Sequence, residues 1–319
     1  SLAMAQLRVG DAESARRSLQ IATRLNDGGL PHDWFLMSLV HWKLGDVKAA
    51  HQHFDRAHSW MEKNAHDTAI QRLAVEGLAL RADDDPENAL WRQRLSELLF
   101  RLGRDKEAVD ELSRAIAIDN TNVQLYRTRA TYYARSADWK SAASDYHTIV
   151  KIDPEDHFSW YMTLPLLLHS GRAGEYHILR TQALDRFGAT EDTRTAERIA
   201  KVCLLHPMVS DAEAETINKL TEFAITRGAR SSSVKWFHAA AAMADYRRGK
   251  FEEALRHTAV SHRLAKSNER SLAALAHLID AMCHQDLAQP KEALASFHSA
   301  NELIERATVA SGNCGNAPS

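Results

Sequence analysis

The chain has 319 residues, 45% hydrophobic and 26% charged, with 40 basic against 42 acidic side chains and a formal charge of −2, a balance that argues against a nucleic-acid binder with its basic face. Its longest strongly apolar runs, "LPLLL" at 164–168 and "AAAAMA" at 239–244, fall far short of the roughly 20 residues a membrane span needs. The opening "SLAMAQLRVGDAESARR" lacks the apolar core of a secretion signal.

In chain order, the first marker is Gly10. It is followed by Ala15, Leu19 and Ala22, a spacing of five, nine and twelve residues. A small residue at a helix-to-helix turn, an alanine where two helices touch and a large apolar residue one turn later describe an antiparallel helix pair. Only nine residues precede Gly10 and no initiator methionine is present, so the chain is expected to be a fragment of a longer protein. Gly45 repeats the pattern with Ala50, Phe54 and Ala57, and Trp34 stands eleven residues before it. The stretch "NAHDTAIQRLAVEGLALRADD" then predicts an additional helix near 64–83, with Ile70, Leu73, Val75, Leu78 and Leu80 as its apolar content. In the "DDDP" that follows, Asp85 is expected to cap the next helix and Pro86 to open it.

From here the register is regular. "RLGRDKEAVDELSRAIAIDN" (101–120) aligns with "RSADWKSAASDYHTIVKIDP" (135–154): Gly103 over Ala137, Ala108 over Ala142, Leu112 over Tyr146, Ala115 over Ile149. Turn positions 103, 137 and 171 keep a 34-residue period. Tyr126 and Trp160 stand eleven residues before their turns, while Arg92 breaks that rule beside Trp91. Pro165 lies inside a predicted helix, where it removes a backbone hydrogen bond and favours a kink.

After Gly171 the alanine position holds Tyr176, so that pair is altered. Gly188 ends a helix, Asp192 caps the next, and Ser210 with Glu213 forms a capping-box pattern for a third that stops at Gly228. Gly249 resumes with Ala254, Thr258 and Ser261, and Ala288 with Ala293, Phe297 and Ala300. Trp34, Trp160 and Trp236 are expected in the core. No run alternates β-branched residues. The expected fold is an all-α solenoid: an array over 1–172, a divergent helical segment over 173–231, further helix pairs over 232–308 and a disordered tail over 309–319.

The unit resembles the tetratricopeptide repeat, two antiparallel helices in about 34 residues with large side chains filling holes left by alanines. The order of elements, from "WFLMSLVHWKLGDVKAAHQHFDRAHSWME" through "RLGRDKEAVDELSRAIAID" and "DPEDHFSWYMTLPLLLHSG" to "RRGKFEEALRH" and "LAQPKEALASFHSANELIE", resembles the C-terminal repeat regions of large bacterial serine/threonine protein kinases or WD40-repeat proteins. In such proteins the kinase precedes the repeats. The resemblance implies a protein-interaction module in a signalling context and supplies no catalytic residue.

The chain has no phosphate-binding loop, no kinase motif and no Gly-x-Ser-x-Gly. "SSVK" (232–235) spells Ser-x-x-Lys without the companion motifs of that enzyme class. Cys203, Cys283 and Cys314 form no Cys-x-x-Cys pair, which fits a reducing compartment and a cytoplasmic location. The 17 histidines include no His-Glu-x-x-His, and residues two apart, such as His51 and His53, point to different faces of a helix. They are read as surface and packing residues that make the protein sensitive to pH. Neither a metal nor another cofactor is expected, and no enzyme.

What remains is the inner face, lined by the first helices of successive pairs. The register places Gln93, Glu97 and Arg101 there, then Arg127, Thr131 and Arg135, then Tyr161, Pro165 and His169. Three arginines on one face point to an acidic or phosphorylated peptide. The clamp that some repeats of this family use for C-terminal carboxylates needs asparagines where this chain has Leu39, Glu97 and Thr131, so that ligand is not carried over. A structural or homo-oligomerising scaffold is the alternative function, and a helical hydrolase or transferase a remote one.

Overall fold

The structure is a computed structural model that describes residues 1–64, 67–207 and 210–312. Among them are seventeen helices and no strand, in two compact units, Ser1–Ile152 and Asp153–Ser319. The first unit contains α1 (Leu2–Arg8), α2 (Ala12–Leu25), α3 (Pro31–Lys43), α4 (Val47–Lys63), α5 (Thr68–Asp84), α6 (Ala89–Arg101), α7 (Asp105–Ile118), α8 (Val123–Arg135) and α9 (Trp139–Ile152). The second contains α10 (His157–His169), α11 (Ala173–Phe187), α12 (Thr193–Cys203), α13 (Asp211–Arg227), α14 (Val234–Arg247), α15 (Phe251–Leu264), α16 (Arg270–Asp286) and α17 (Pro290–Gly312).

Every turn marker of the repeat adopts left-handed backbone, Gly10, Gly45, Gly103, Gly171 and Gly249 at φ between 73° and 86° and even Ala137 and Ala288 at 58°. At Gly103 nothing lies within 4 Å of where a Cβ would stand, so the conformation, not space, selects the small residue. The turn reverses by donating Gly103 N–H to Phe100 O and Arg104 N–H to Leu99 O. The touching positions are solvent-free: Ala50, Phe54 and Ala57, then Ala108, Leu112 and Ala115, then Ala142 and Ile149. Phe297 departs from the series at 46% exposed, because no further helix among the described residues covers α17.

The residue eleven before the turn has a repeated task. Trp34 donates its indole N–H to Gly28 O at 2.8 Å, Tyr126 its hydroxyl to Asn120 O at 3.2 Å, and Trp160 its indole N–H to Pro154 O at 2.9 Å. Each reaches the carbonyl six residues back and pins the loop that enters its helix. Trp160 is buried; Trp34 and Trp236, expected in the core, are half-buried instead, Trp34 because it lies under the Arg56 guanidinium at 4.0 Å and stays at the loop. Arg92, the exception, makes an ionic clip, to Asp83 at 2.8 Å and Glu111 at 3.1 Å.

The extra helix is α5, packed between α3 and α6. Asp85 does not cap the following helix: it ends α5 and accepts from the Asn88 side chain at 3.0 Å, while Asn88 caps α6 by accepting from Leu90 N–H. Pro86 therefore sits in the turn between the two helices rather than opening α6, since Glu87 and Asn88 separate it from the first helical position, Ala89. Asp192 and Ser210 cap the starts of α12 and α13, and Gly188 and Gly228 stand at the ends of α11 and α13, as expected. Helix α10 runs through Pro165, α17 extends to Gly312, and residues 313–319, with Cys314, lie outside the described residues.

The altered pair has a physical account. At the positions five, nine and twelve after Gly171 stand Tyr176, Arg180 and Ala183, all fully buried. Two large side chains where the repeat has alanine and leucine hold α11 off its neighbour and fill the space themselves. The Tyr176 hydroxyl donates to Val202 O and Cys203 O, at 2.9 and 3.0 Å. Arg180 pairs with Glu213 at 2.9 Å and donates to Pro207 O at 2.9 Å.

Candidate functional surfaces

In the first unit, α6 and α8 carry six of the expected groove residues. Gln93 and Glu97 are hydrogen-bonded to each other one turn apart at 3.0 Å. Arg101 and Arg135, the last residues of their helices, are exposed, as is Thr131; Arg127 is half-buried. Thr131 donates its hydroxyl to Arg127 O at 2.9 Å. Between the helices, Phe100 stacks on Tyr132 with ring centres 3.7 Å apart and planes 7° from parallel. The Arg135 guanidinium lies 4.4 Å above the Phe100 ring. Burial pushes the Tyr132 phenol up and Glu97 adds to this, while Arg101 and Arg135 oppose it. Glu97, Arg101 and Arg135 thus surround one aromatic stack, and neither arginine is in a salt bridge among the described residues.

Tyr161 and His169 belong to the second unit. His169 is exposed at the end of α10. Tyr161 has Arg198 at 5.6 Å and Lys201 at 5.2 Å from its ring centre, and Lys201 also lies 4.7 Å from the ring centre of Trp236. Helices α10, α12 and α14 therefore share a strip of alternating rings and cations. Lys201 is already paired with Glu197, so less of its charge is free for a ligand. The Ser-x-x-Lys pattern is likewise occupied, since Lys235 is buried against Glu269 at 2.7 Å.

Two apolar hollows escaped the reading of the sequence. In the first unit α1, α3 and α5 line one of about 480 Å³ with Leu7, Leu39, Trp42 and Leu80. In the second, α14, α16 and α17 line one of about 790 Å³ with Met243, Leu278, Met282, Leu294 and Phe297. Their residues look like ordinary helix-core positions; only the stacking of three helices leaves them uncovered. The signal available was the Ala288 pair, whose second helix, α17, is the last among the described residues.

The fold and these surfaces define an α-solenoid of helix pairs with open side-chain faces. Residues 1–62 and 73–123 match the tetratricopeptide repeat family. The chain is similar to human tetratricopeptide repeat protein 13, 29% identical over 100 residues, 31% of this chain and 12% of that protein. It is also similar to mouse DnaJ homolog subfamily C member 3, 26% identical over 142 residues, 43% of this chain and 27% of that protein. The chain therefore spans well under a third of either relative. Among solved structures, a tetratricopeptide repeat protein from Parabacteroides merdae aligns with a TM-score of 0.49 at 15% identity, covering 77% of this chain and 92% of that one.

Proposed function

We propose that this chain is a protein-interaction module from a larger bacterial signalling protein, and that the α6–α8 surface holds an acidic or phosphorylated peptide segment. The observation that carries the reading is the pair of exposed, un-neutralised arginines, Arg101 and Arg135, flanking the Phe100–Tyr132 stack. Guanidinium groups offer planar, two-pronged hydrogen bonds to carboxylates and phosphates, and the rings give the peptide an apolar floor. The signalling context rests on the order of elements in the sequence. No described helix is long and apolar enough to cross a membrane; Cys203 and Cys283 are buried free thiols, which supports a cytoplasmic setting. The test is fluorescence anisotropy with acidic, phosphorylated and neutral peptides on wild type and on the triple variant Arg101→Ala, Arg127→Ala, Arg135→Ala. Binding should be weak to moderate and should fall as salt rises, since screening acts over about 8 Å at physiological ionic strength. Equal affinity in a folded triple variant places the binding surface elsewhere.

A second reading, a dimerising scaffold, is favoured by the second hollow. Leu294 and Phe297 of α17 are 56% and 46% exposed beside it, so one helix offers both an apolar ridge and part of a hollow. In a two-fold dimer each α17 would fill the hollow of its twin. Light scattering on wild type and Phe297→Glu separates the readings: a monomer in both removes the second.

A further inference from the structure

We propose that His262, His277 and Asp280 form a binding site for a divalent first-row transition ion, zinc foremost. The three offer one ligand atom each, all within 4.8 Å of one another. His262 comes from the end of α15; His277 and Asp280, three residues apart, share one face of α16. His262 Nε2 is 2.8 Å from Asp280 Oδ2, His277 Nδ1 is 4.0 Å from the same oxygen, and the two imidazole rings are 4.3 Å apart. A tetrahedral ion bound at about 2.1 Å holds its ligand atoms roughly 3.4 Å apart. The separations straddle that value, so modest rotations of the side chains close the set.

Two features favour a cation over a simple packing contact. First, His277 stands eleven residues before the turn at Ala288, the position that Trp34, Tyr126 and Trp160 use to pin a loop carbonyl. Here the side chain turns instead to Asp280 and His262. Second, the second oxygen of Asp280, Oδ1, is buried with no hydrogen-bond partner. An orphaned carboxylate oxygen is destabilising, and a bound cation relieves it.

Two imidazoles and one carboxylate suit zinc and its first-row neighbours; calcium and magnesium prefer all-oxygen sets. The side chains of His262 and His277 remain 28% and 29% exposed, so water can complete the coordination. Ligation through His262 Nε2 uses that nitrogen's lone pair, so the neutral ring then carries its proton on Nδ1. Another His–His contact, His238 Nδ1 to His257 Nδ1 at 2.7 Å, lacks this arrangement, because His257 directs its other nitrogen to Asp245.

The experiment is calorimetric titration of tag-free, chelator-stripped protein with zinc chloride near pH 7.5, and cobalt(II) titration followed by visible absorption. Wild type should take up one ion per chain and give a cobalt spectrum of nitrogen and oxygen ligation. His277→Gln and Asp280→Asn, each checked for an unchanged helical circular dichroism spectrum, should weaken binding at least about 100-fold, because even outer-shell changes cost 10–100-fold. His53→Gln, outside the cluster, should bind as wild type. Failure of wild type to bind stoichiometrically, or retention of its affinity by both cluster variants, overturns the site. If one cluster variant unfolds, the other decides.

Discussion

Arg180 is the clearest case of a single residue whose position explains a whole segment. It has no exposed surface, and its guanidinium is shared between the Glu213 carboxylate and the carbonyl of Pro207. The pair fastens α11 to the start of α13 and to the loop between α12 and α13. Replacing a buried ion pair by apolar residues is often neutral, but removing one partner strands the other charge. Arg180→Ala is therefore expected to cost about 3–5 kcal/mol, read as a lower midpoint in urea unfolding. The double variant Arg180→Met, Glu213→Gln should be much closer to wild type. Equal loss in single and double variants would show that packing volume, not the stranded carboxylate, sets the cost. Nothing in the sequence announced this pair: Tyr176 was legible as a departure from the alanine rule, but its consequence, an arginine buried 33 residues before its partner, is a long-range event that a local spacing rule cannot register.

At the scale of the element, the turns and touching faces were readable because each depends on a fixed distance along one helix. Left-handed backbone at Gly103 and Ala137 and the empty surface of Ala108 and Ala142 follow from the 34-residue period alone. Boundaries between elements were less readable, as Asp85 demonstrates: Asp85 and Asn88 are both residue types that cap a helix start, and the choice of Asn88 for α6 was made by where α5 stops. The inserted α5 carries its own constraint. Gly77 sits in mid-helix, where glycine costs about 1 kcal/mol relative to alanine, so a bare propensity argument favours substitution. Yet a Cβ there would stand 2.8 Å from Phe54 Cδ2 and 2.9 Å from Cε2, and that ring is enclosed by Phe35, His58 and Trp91. Overpacking against a ring with no room to retreat costs about 1–3 kcal/mol, more than the helix gains. Gly77→Ala should lower the thermal midpoint, whereas the same change at Gly174 of α11, with nothing within 4 Å, should leave or raise it. A rise at Gly77 would mean that Phe54 is freer to move than its neighbours suggest.

For the molecule as a whole, the histidines set the response to pH. Their number was ground to expect sensitivity, but not its sign, which depends on burial that only the packed structure supplies. His58 stacks on Phe54 with planes 13° apart; burial holds its pKa below the usual 6.5, and Arg94 acts in the same direction. His53, His157, His238, His257 and His277 are lowered in the same way, burial first in each case. In the unfolded chain these imidazoles take up protons near pH 6.5, whereas in the folded chain they resist until the pH is lower. The unfolded state therefore binds more protons over that interval, and stability must fall as pH drops. The contribution is fully present above about pH 6.5, and the slope is about 1.4 kcal/mol per pH unit for each extra proton taken up on unfolding. Carboxylates held low, such as Asp192 under its hydrogen bonds from Thr195, extend the loss only below their own unfolded pKa of about 3.9. Between pH 7.5 and 5.5 the denaturant midpoint of metal-free protein should therefore hold at first and then decline as the pH falls through about 6.5. His58→Leu should flatten the decline, because one proton no longer distinguishes the two states. A midpoint that is flat or rises on acidification, or a slope unchanged in that variant, would place these imidazoles in a more hydrated setting than their packing implies.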